Sequence, residues 1–445
     1  MLVLRPKLHA LIEAEEDRTL RQLQAFGIET GERPSGTTVG IRVSPNATAE
    51  QQLLATALVD LTLRLDPLVE EVRLEGFNEA WLGIIRERVP LELGDTARSV
   101  DLTVSLGAAP RTADLIVDAA GWVAAVNTEA NASPGGIVNP IGALAGATLG
   151  TGEIFKIAFA RAFPDARYTR RFEPAEGTFS FFDYRYRGAN PPLQPVAIDA
   201  TLVGAGGVGA GAIATIAALR NHISGVLRIV DDDRLSRDNL NRVTYARVQS
   251  ALQRVLKVDE AAAFLEPRVP HLAVERHPCR FGAFKRALAP RRENRRYDVI
   301  ITALDNDDAR HEVQRDLPRI LIDGATGRDA NVTVERVLLG QWACLGCTRQ
   351  NTGHTPPGNC DELPDTRAPS ASFLSHLPGV LACGELVKHA VGDDGALTGS
   401  FSHIFTYPLN EDMALTPAIT PSCRIQCSRS SIQRAYRQKY GPPAH

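Results

Sequence analysis

Apolar and polar positions along the chain follow two spacings, and each spacing predicts one kind of element. Short runs rich in β-branched residues predict strands, whereas apolar positions three or four residues apart predict helices. The first part of the chain has a helical pattern at 47–65 and a second, rich in small residues, at 139–163. Asn139 and Pro140 suit the N-cap and first turn of that second helix. Strands are predicted around these helices at 38–44, 70–77, 99–109 and 113–128.

The same alternation resumes near residue 197, after a segment rich in Arg, Tyr, Phe and Pro. A strand leads into a glycine-rich loop, and one long helix is predicted over 246–266. One further clear helix is predicted late in the chain, at 377–391. Later strands are predicted at 226–231, 273–278, 297–305, 319–326 and 331–339.

These elements predict an α/β fold with two Rossmann-like, doubly wound domains. The predicted division is a first domain at 1–164, a connector at 165–199 and a second domain at 200–445. The first domain has no glycine-rich loop between a strand and a helix. We therefore expect it to be a degenerate nucleotide fold that binds no nucleotide, and an unrelated α/β domain is the alternative.

Composition narrows the function classes. With 44% hydrophobic residues, 23% charged residues and a net charge of −3, the chain gives no electrostatic reason to expect nucleic acid or an anionic membrane as partner. The first 26 residues carry charge throughout and predict an amphipathic helix, not a signal peptide. Seven cysteines, an odd number, favour thiols and metal over a disulfide framework. A cytoplasmic enzyme is the expectation.

A glycine-rich loop and seven later polar positions carry the candidate chemistry. Such a loop lets backbone amides meet a phosphate at the start of a helix, and its glycines are Gly204, Gly206, Gly207 and Gly209. Asp231 and Asp233 end the next strand, where an acid can hold ribose hydroxyls. The remaining candidates are Asn239 and Arg242 on one helical face, Lys257 on the following helix, and the pair Asp305 and Asn306 after a later strand. A nicotinamide site needs one acid and little of the rest, so the polar cluster weakens that alternative.

With these motifs the chain resembles the ThiF/MoeB/ubiquitin-activating enzyme superfamily over about 196–430. The segments GAGGVG, DDDRL, DNLNR, VLKVD and ALDN stand in the family order. Three departures are modest: Asp238 replaces the usual Ser, Val243 the Gln after the arginine, and Val255 the glycine before the lysine.

The resemblance implies ATP-dependent adenylation of a peptide or protein C-terminal carboxylate. It implies that the four loop glycines cradle phosphate and that Asp233 holds the ribose. Asn239, Arg242 and Lys257 would contact the triphosphate, and Asp305 would bind Mg²⁺.

Two close cysteine pairs predict a structural Zn²⁺ site. Cys344 and Cys347 form the first pair, and Cys423 and Cys427 form the second. Four thiolates suit tetrahedral zinc, although the second pair has one more intervening residue than the family's usual spacing. Two independent thiol pairs are the alternative.

Cys360 is the candidate nucleophile. It lies in the segment 348–376, where related enzymes place a crossover loop and the ubiquitin-activating branch places its thioester-forming cysteine. A thiolate is a competent nucleophile towards an acyl-adenylate. A spare loop thiol and an additional zinc ligand are the alternatives. Cys279 and Cys383 are expected to be core thiols.

A degenerate domain ahead of an active one resembles the two-lobed activating enzymes of bacterial ubiquitin-like conjugation operons, including the antiphage Bil type. This implies a ubiquitin-like protein with a C-terminal glycine and a conjugating-enzyme-like partner, with a homodimer as a further option. The alternative is a ThiF/MoeB-like adenylyltransferase without a thioester step, acting on a sulfur-carrier protein or a peptide. A silent binding scaffold is the third hypothesis. The family also supplies an arginine from the partner domain, for which the candidates are Tyr168-Thr169-Arg170-Arg171, Arg5, Arg18 and Arg21.

Overall fold

The structure of the 445-residue chain is a computed structural model. It describes the following ranges together with single residues between them: 2–12, 34–77, 85–94, 99–107, 112–130, 136–166, 174–288, 299–327, 330–338, 344–348, 371–392, 401–406, 411–415 and 429–440.

The first half of the chain forms one mixed sheet of nine described strands in the order β4-β1-β3-β2-β5-β6-β7-β8-β9. Strands β3, β2, β5 and β6 are mutually parallel, and the strands on both sides of them are antiparallel. The elements are β1 (Leu2–Pro6), α1 (Leu8–Leu11), β2 (Thr37–Val43), α2 (Ala49–Leu63), β3 (Val69–Glu75), β4 (Leu91–Leu93), β5 (Leu102–Leu106), β6 (Leu115–Ala120), β7 (Val123–Val126), α3 (Pro140–Ala162), β8 (Gly177–Ser180) and β9 (Arg185–Tyr186).

The second half forms an eight-stranded sheet in the order β12-β11-β10-β13-β14-β15-β16-β17, in which the first five strands are parallel. Renumbered from β10, these five run 3-2-1-4-5, the order of a nucleotide-binding doubly wound sheet. The elements are β10 (Val196–Val203), α4 (Gly207–Leu219), β11 (Ile223–Val230), α5 (Val248–Leu252), α6 (Lys257–Leu265), β12 (Leu272–His277), α7 (Phe281–Leu288), β13 (Val299–Thr302), α8 (Asp307–Arg315), β14 (Ile320–Thr326), β15 (Asn331–Val337), α9 (Leu345–Thr348), α10 (Ser372–Ala390), β16 (Phe401–Thr406), β17 (Glu411–Leu415) and α11 (Ser430–Tyr440).

The two sheets are built on one plan. In each, a parallel core is followed by an antiparallel strand, then by a long buried helix, then by further antiparallel strands. These two helices, α3 and α10, pack against each other, and each also packs on the first crossover helix of its own half. Helix α10 crosses α4 so closely that a Cβ on Gly379 would lie 1.9 Å from the carbonyl oxygen of Val208. The α/β class with two mixed sheets, each containing a parallel core, is therefore confirmed.

Several local predictions are confirmed and others are wrong. The side chain of Asn139 caps α3 by accepting a hydrogen bond from the amide of Ile141, and Pro140 occupies the first turn. The predicted N-terminal helix is wrong at its start, because residues 2–6 form a strand that pairs with β3 and β4. The predicted helix at 246–266 is two helices, separated by a turn in which Arg254 has a φ of 53°.

The connector and the C-terminal region hold more regular structure than the sequence predicts. Residues 177–186 form strands β8 and β9, which extend the first sheet. Strands β16 and β17 and helix α11 follow the last predicted helix. Among the described residues, no helix has the length and apolar character needed to cross a membrane.

Candidate functional site

The glycine-rich loop joins β10 to α4. Gly204 has a φ of +98°, and a Cβ there would lie 2.4 Å from the carbonyl oxygen of Ala303, so a larger residue would be strained and would clash. A Cβ on Gly209 would meet the carbonyl oxygen of Gly204 at 2.3 Å. Gly206 is the N-cap of α4 and Gly207 its first residue, and no described side chain caps this helix. The first-turn amides can therefore receive an anion.

The Asp231 side chain stabilises the glycine-rich loop through hydrogen bonds to backbone amides. Its carboxylate accepts hydrogen bonds from the amide of Ala205 at 2.6 Å and from the amide of Asp233 at 2.8 Å. Burial raises the pKa of Asp231. The hydroxyl of buried Tyr245 donates to the carbonyl of Ala205, a contact that the sequence did not indicate. Asp231 therefore shapes the loop, and Asp233 is the more exposed acid of the two.

Asp233 and Lys257 form an ion pair at the end of β11. The Nζ of Lys257 lies 2.6 Å from Oδ2 of Asp233, and the Lys257 amide donates to the Asp233 carbonyl at 3.0 Å. The Asp233 side chain is 67% exposed and that of Lys257 is 11% exposed. The lysine is thus held by its backbone at the start of α6, and the acid that faces it is open to a ligand.

Asn239 and Arg242 lie on a short 3₁₀ turn, Arg237–Asn241, and at its end. The side-chain oxygen of Asn239 accepts from the amide of Ser236 at 3.2 Å. The guanidinium of Arg242 donates to the carbonyl of Asp238 at 2.7 Å and contacts its carboxylate at 3.2 Å. Its Cδ lies 3.3 Å from the Cβ position of Gly207, so Arg242 stands beside the start of α4.

Asp305 and Asn306 follow β13, which is the neighbour of β10 on the side away from β11. Both are exposed, and Asn306 caps α8 by accepting from the amide of Ala309 at 2.8 Å. Behind them, buried Arg310 donates to Asp323 at 3.0 Å and to the carbonyl of Leu304. Arg310 is another residue that sequence reasoning missed, because its partner lies on a different strand.

All of these residues lie at one edge of the second sheet. Parallel strands β10, β11 and β13 end side by side, and in such sheets ligands bind outside the carboxyl ends of the strands. The edge carries uncapped amides, the cations Arg242 and Lys257, and the exposed carboxylates of Asp233 and Asp305, which suit a polyphosphate with its metal ion.

The corresponding edge of the first sheet is closed. Helix α2 follows β2 as α4 follows β10, but Thr48 and Gln51 form a capping box on its first turn. The amide nitrogen of the Gln51 side chain reaches Asp118 at 2.8 Å and would touch a Cβ on Gly107 at 2.7 Å. Side chains therefore cap the first turn of α2, whereas no described side chain caps the first turn of α4.

The four predicted zinc ligands lie together. The Sγ atoms of this cysteine cluster all lie within 4.8 Å of one another, and all four residues are buried: Cys344, Cys347, Cys423 and Cys427. The Sγ–Sγ distances are 3.4 Å for Cys344 to Cys423, 3.4 Å for Cys347 to Cys427 and 3.8 Å for Cys423 to Cys427. Tetrahedral zinc with bonds of about 2.3 Å places sulfurs about 3.8 Å apart, so the donor set fits.

The cysteine cluster also fastens the end of the chain. It packs in one apolar cluster with Val313 of α8 and Tyr436 of α11. Hydrogen bonding by the Cys347 and Cys427 thiols raises the pKa of Cys344, because ionising one thiol beside others is unfavourable without a cation.

We expect about one zinc per chain, and loss of that zinc when Cys347→Ser removes one of the four thiolates. The variant should also melt at a lower temperature, because α9 and α11 lose their crosslink. Metal analysis and thermal unfolding check this. Cys279→Ser, outside the cysteine cluster, should keep the metal; a stably folded, zinc-free wild-type protein would refute the zinc site.

Several predicted residues lie outside the described part of the chain. These are Cys360, Tyr168, Arg170, Arg171, Arg18 and Arg21. Of the arginine candidates, Arg5 is described, and its Nε pairs with Glu71 at 2.9 Å within the first half.

Comparison with known proteins gives one family match and several distant relatives. The sequence model of the ThiF family matches residues 197–424. The uncharacterized protein y4jF of Sinorhizobium fredii is 24% identical over 404 residues, covering 74% of this chain and 75% of that protein. The crystal structure of E. coli MccB with ATP is 13% identical and covers 71% of this chain and 98% of that one, with a TM-score of 0.43. The crystal structure of PaaA is 19% identical and covers 51% of this chain and 65% of that one, with a TM-score of 0.38.

Proposed function

Because the chain belongs to the ThiF family, we propose that it is an adenylyltransferase that activates a C-terminal carboxylate with ATP. The carboxylate oxygen attacks the α-phosphorus, the bond to the bridging oxygen breaks, and pyrophosphate leaves with the electron pair. The product is an acyl-adenylate, a mixed anhydride that a later nucleophile can open.

The described residues supply what this step needs. An attacking carboxylate and a triphosphate repel each other, so fixed positive charge and amide donors must neutralise both. The amides of Gly206 and Gly207, with Arg242 and Lys257, provide them at the phosphate side, and Asn239 adds a polar contact. Asp233 holds the ribose. Asp305, with Asn306 beside it, would hold Mg²⁺, which would neutralise phosphate charge when bound.

One observation carries the proposal: the first turn of α4 is uncapped and is faced by Arg242, while the equivalent turn of α2 is capped by Thr48 and Gln51. We therefore assign the nucleotide to the second half, residues 200–445. The first half, residues 1–164, is the inactive half, and 165–199 connects the two while adding β8 and β9 to the first sheet.

For the carrier we favour a bacterial ubiquitin-like protein with a C-terminal glycine. The Cys360 thiolate attacks the acyl carbon of the adenylate, a sulfur–carbon bond forms, and AMP leaves; the thioester then passes to a conjugating-type partner. The two-lobed plan and a cysteine between α9 and α10 support this version, as do the antiphage conjugation systems that the sequence resembles. The segment expected at 348–376 is shorter at both ends, because α9 extends to Thr348 and α10 begins at Ser372. The alternative stops at the adenylate of a sulfur carrier or peptide.

The deciding experiment is a non-reducing gel of the protein with Mg-ATP and a glycine-terminated ubiquitin-like protein. A thiol-sensitive adduct should form with wild type and with Cys279→Ala, and should be absent with Cys360→Ala. That variant should keep ATP–pyrophosphate exchange, because the adenylation site lies elsewhere in the chain. Exchange without an adduct in the wild type would favour the alternative, an adenylyltransferase without a thioester step. An adduct that still forms with Cys360→Ala would show that another residue is the nucleophile.

A further inference from the structure

The 3₁₀ turn that carries Asn239 is docked on the first half of the chain. Helix α1 contacts this turn. The amide of Val248, a few residues on, donates to the carbonyl of Glu87 in the first half at 3.1 Å. The most direct contact is made by Arg64, at the C-terminal end of α2, whose guanidinium donates to the carbonyl of Leu240 inside the turn.

Arg64 is itself firmly held. Its side chain has no exposure to solvent, and Oδ1 of Asp60 accepts from its Nε at 3.2 Å and from its Nη2 at 3.0 Å. Next to it, the hydroxyl of Ser372 in α10 donates to the carbonyl of Leu61 at 2.9 Å. The end of α2 therefore contacts both the 3₁₀ turn and the start of α10. The planar guanidinium of Arg64 can donate to Asp60 and to Leu240 at the same time.

The contact bears on the nucleotide site because hydrogen bonds inside the turn link Leu240 to Arg242. Ser236, Asp238 and Asn239 are bonded to one another, and Arg242 folds back onto Asp238. A displacement at Leu240 is therefore carried to Arg242, whose Cδ already stands 3.3 Å from the Cβ position of Gly207. Small displacements of a phosphate-binding group can cost about a hundredfold in function.

We propose that Arg64, in the half that lacks a glycine loop, is a positioning residue for the phosphate-binding side of the nucleotide site in the other half. The inference rests on the proposed function, and Arg64 acts through Leu240 and the turn, without touching the nucleotide. The inactive half thus contributes to ATP binding through the buried guanidinium of Arg64, although the first turn of its own helix α2 is capped.

The test is calorimetric binding of Mg-ATP and of adenosine to the full chain. Arg64→Met should weaken Mg-ATP binding by about tenfold to a hundredfold, because the turn is no longer held against α4. Arg64→Lys keeps the charge beside Asp60 and should therefore fold. Its affinity for Mg-ATP should fall several-fold, since one ammonium cannot satisfy Asp60 and Leu240 together. Adenosine binding should stay within about twofold in both variants, because it makes no phosphate contact.

Two comparisons separate positioning from general destabilisation. Asp60→Asn should lower the melting temperature but keep Mg-ATP affinity within about twofold, because the contact to Leu240 remains. Arg161→Met removes another arginine that donates to a backbone carbonyl, that of Asp101, and should leave binding unchanged. Unchanged Mg-ATP affinity in folded Arg64→Lys and Arg64→Met overturns the inference alone. Failure of the wild type to bind Mg-ATP overturns the proposed function and this inference with it.

Discussion

Asp305→Ala is expected to reduce ATP–pyrophosphate exchange by about a thousandfold, to the limit of detection. The side chain is exposed beside the carboxyl end of β13, and in the proposed reaction it is the protein ligand of Mg²⁺. Without that ligand the charge that develops as pyrophosphate leaves is poorly neutralised, and losses of two to three orders of magnitude are typical when such stabilisation is removed. The loss is measured as the rate at which labelled pyrophosphate is incorporated into ATP in the presence of a glycine-terminated ubiquitin-like protein.

The matched control is Asp308→Ala. Asp308 is also exposed and lies three residues further on, in the first turn of α8. It should keep exchange within about twofold and lose only a few tenths of a kcal/mol from the helix dipole. Both variants should melt near the wild-type temperature, because neither side chain is buried. Persistent exchange in Asp305→Ala would place the magnesium ligand at another residue.

The separate role of Asp231 could not be predicted from the sequence. Asp231 and Asp233 both follow one strand, where an acid can hold ribose hydroxyls, and the family resemblance selects Asp233 without saying what Asp231 does. Only the folded backbone turns Asp231 inward onto the amide of Ala205 and leaves Asp233 outward beside Lys257. The motif order and the two cysteine pairs were predictable because they depend on short spacings in the chain.

Elements whose stability depends on distant partners were the ones that sequence reasoning missed. Residues 2–6 form a strand because β3, about seventy residues later, offers an edge to pair with. The helical pattern at 246–266 continues across the turn at Arg254, so periodicity alone could not locate the break. Arg64 reaches Leu240 across the two halves, and nothing near Arg64 in the sequence marks that contact.

A buried group of charges fastens the two halves at the far end of α10. Glu385 and Lys388 on this helix have no solvent exposure and pair with each other. Arg336 of β15 lies 3.4 Å from the second Glu385 oxygen, and the hydroxyl of Tyr184, between β8 and β9 of the first sheet, donates to the first oxygen at 2.8 Å. Lys388 also donates to the carbonyl of Phe182 at 3.0 Å. Glu385 is thus a carboxylate shared by two cations and a tyrosine.

Glu385→Ala is therefore expected to lower the free energy of unfolding by about 3–5 kcal/mol, the loss found when one partner of a buried ion pair is removed. Burial already lowers the pKa of Lys388, and without the carboxylate its charge and that of Arg336 face each other in an apolar interior. Urea unfolding monitored by tryptophan fluorescence measures the change, since buried Trp122 lies in the same region, 5.9 Å from the Lys388 ammonium.

Two further variants locate the origin of that loss. Tyr184→Phe removes one hydrogen bond and keeps the charges, so about 1 kcal/mol is expected. Glu275→Ala, at a half-exposed glutamate that pairs with Arg228 at 3.2 Å, should change stability by less than about 1 kcal/mol. If Glu385→Ala cost no more than Glu275→Ala, the buried charges would not be what fastens β8 and β9 to α10. The packing of α3 against α10 would then hold the halves together, because these two long buried helices also join the halves.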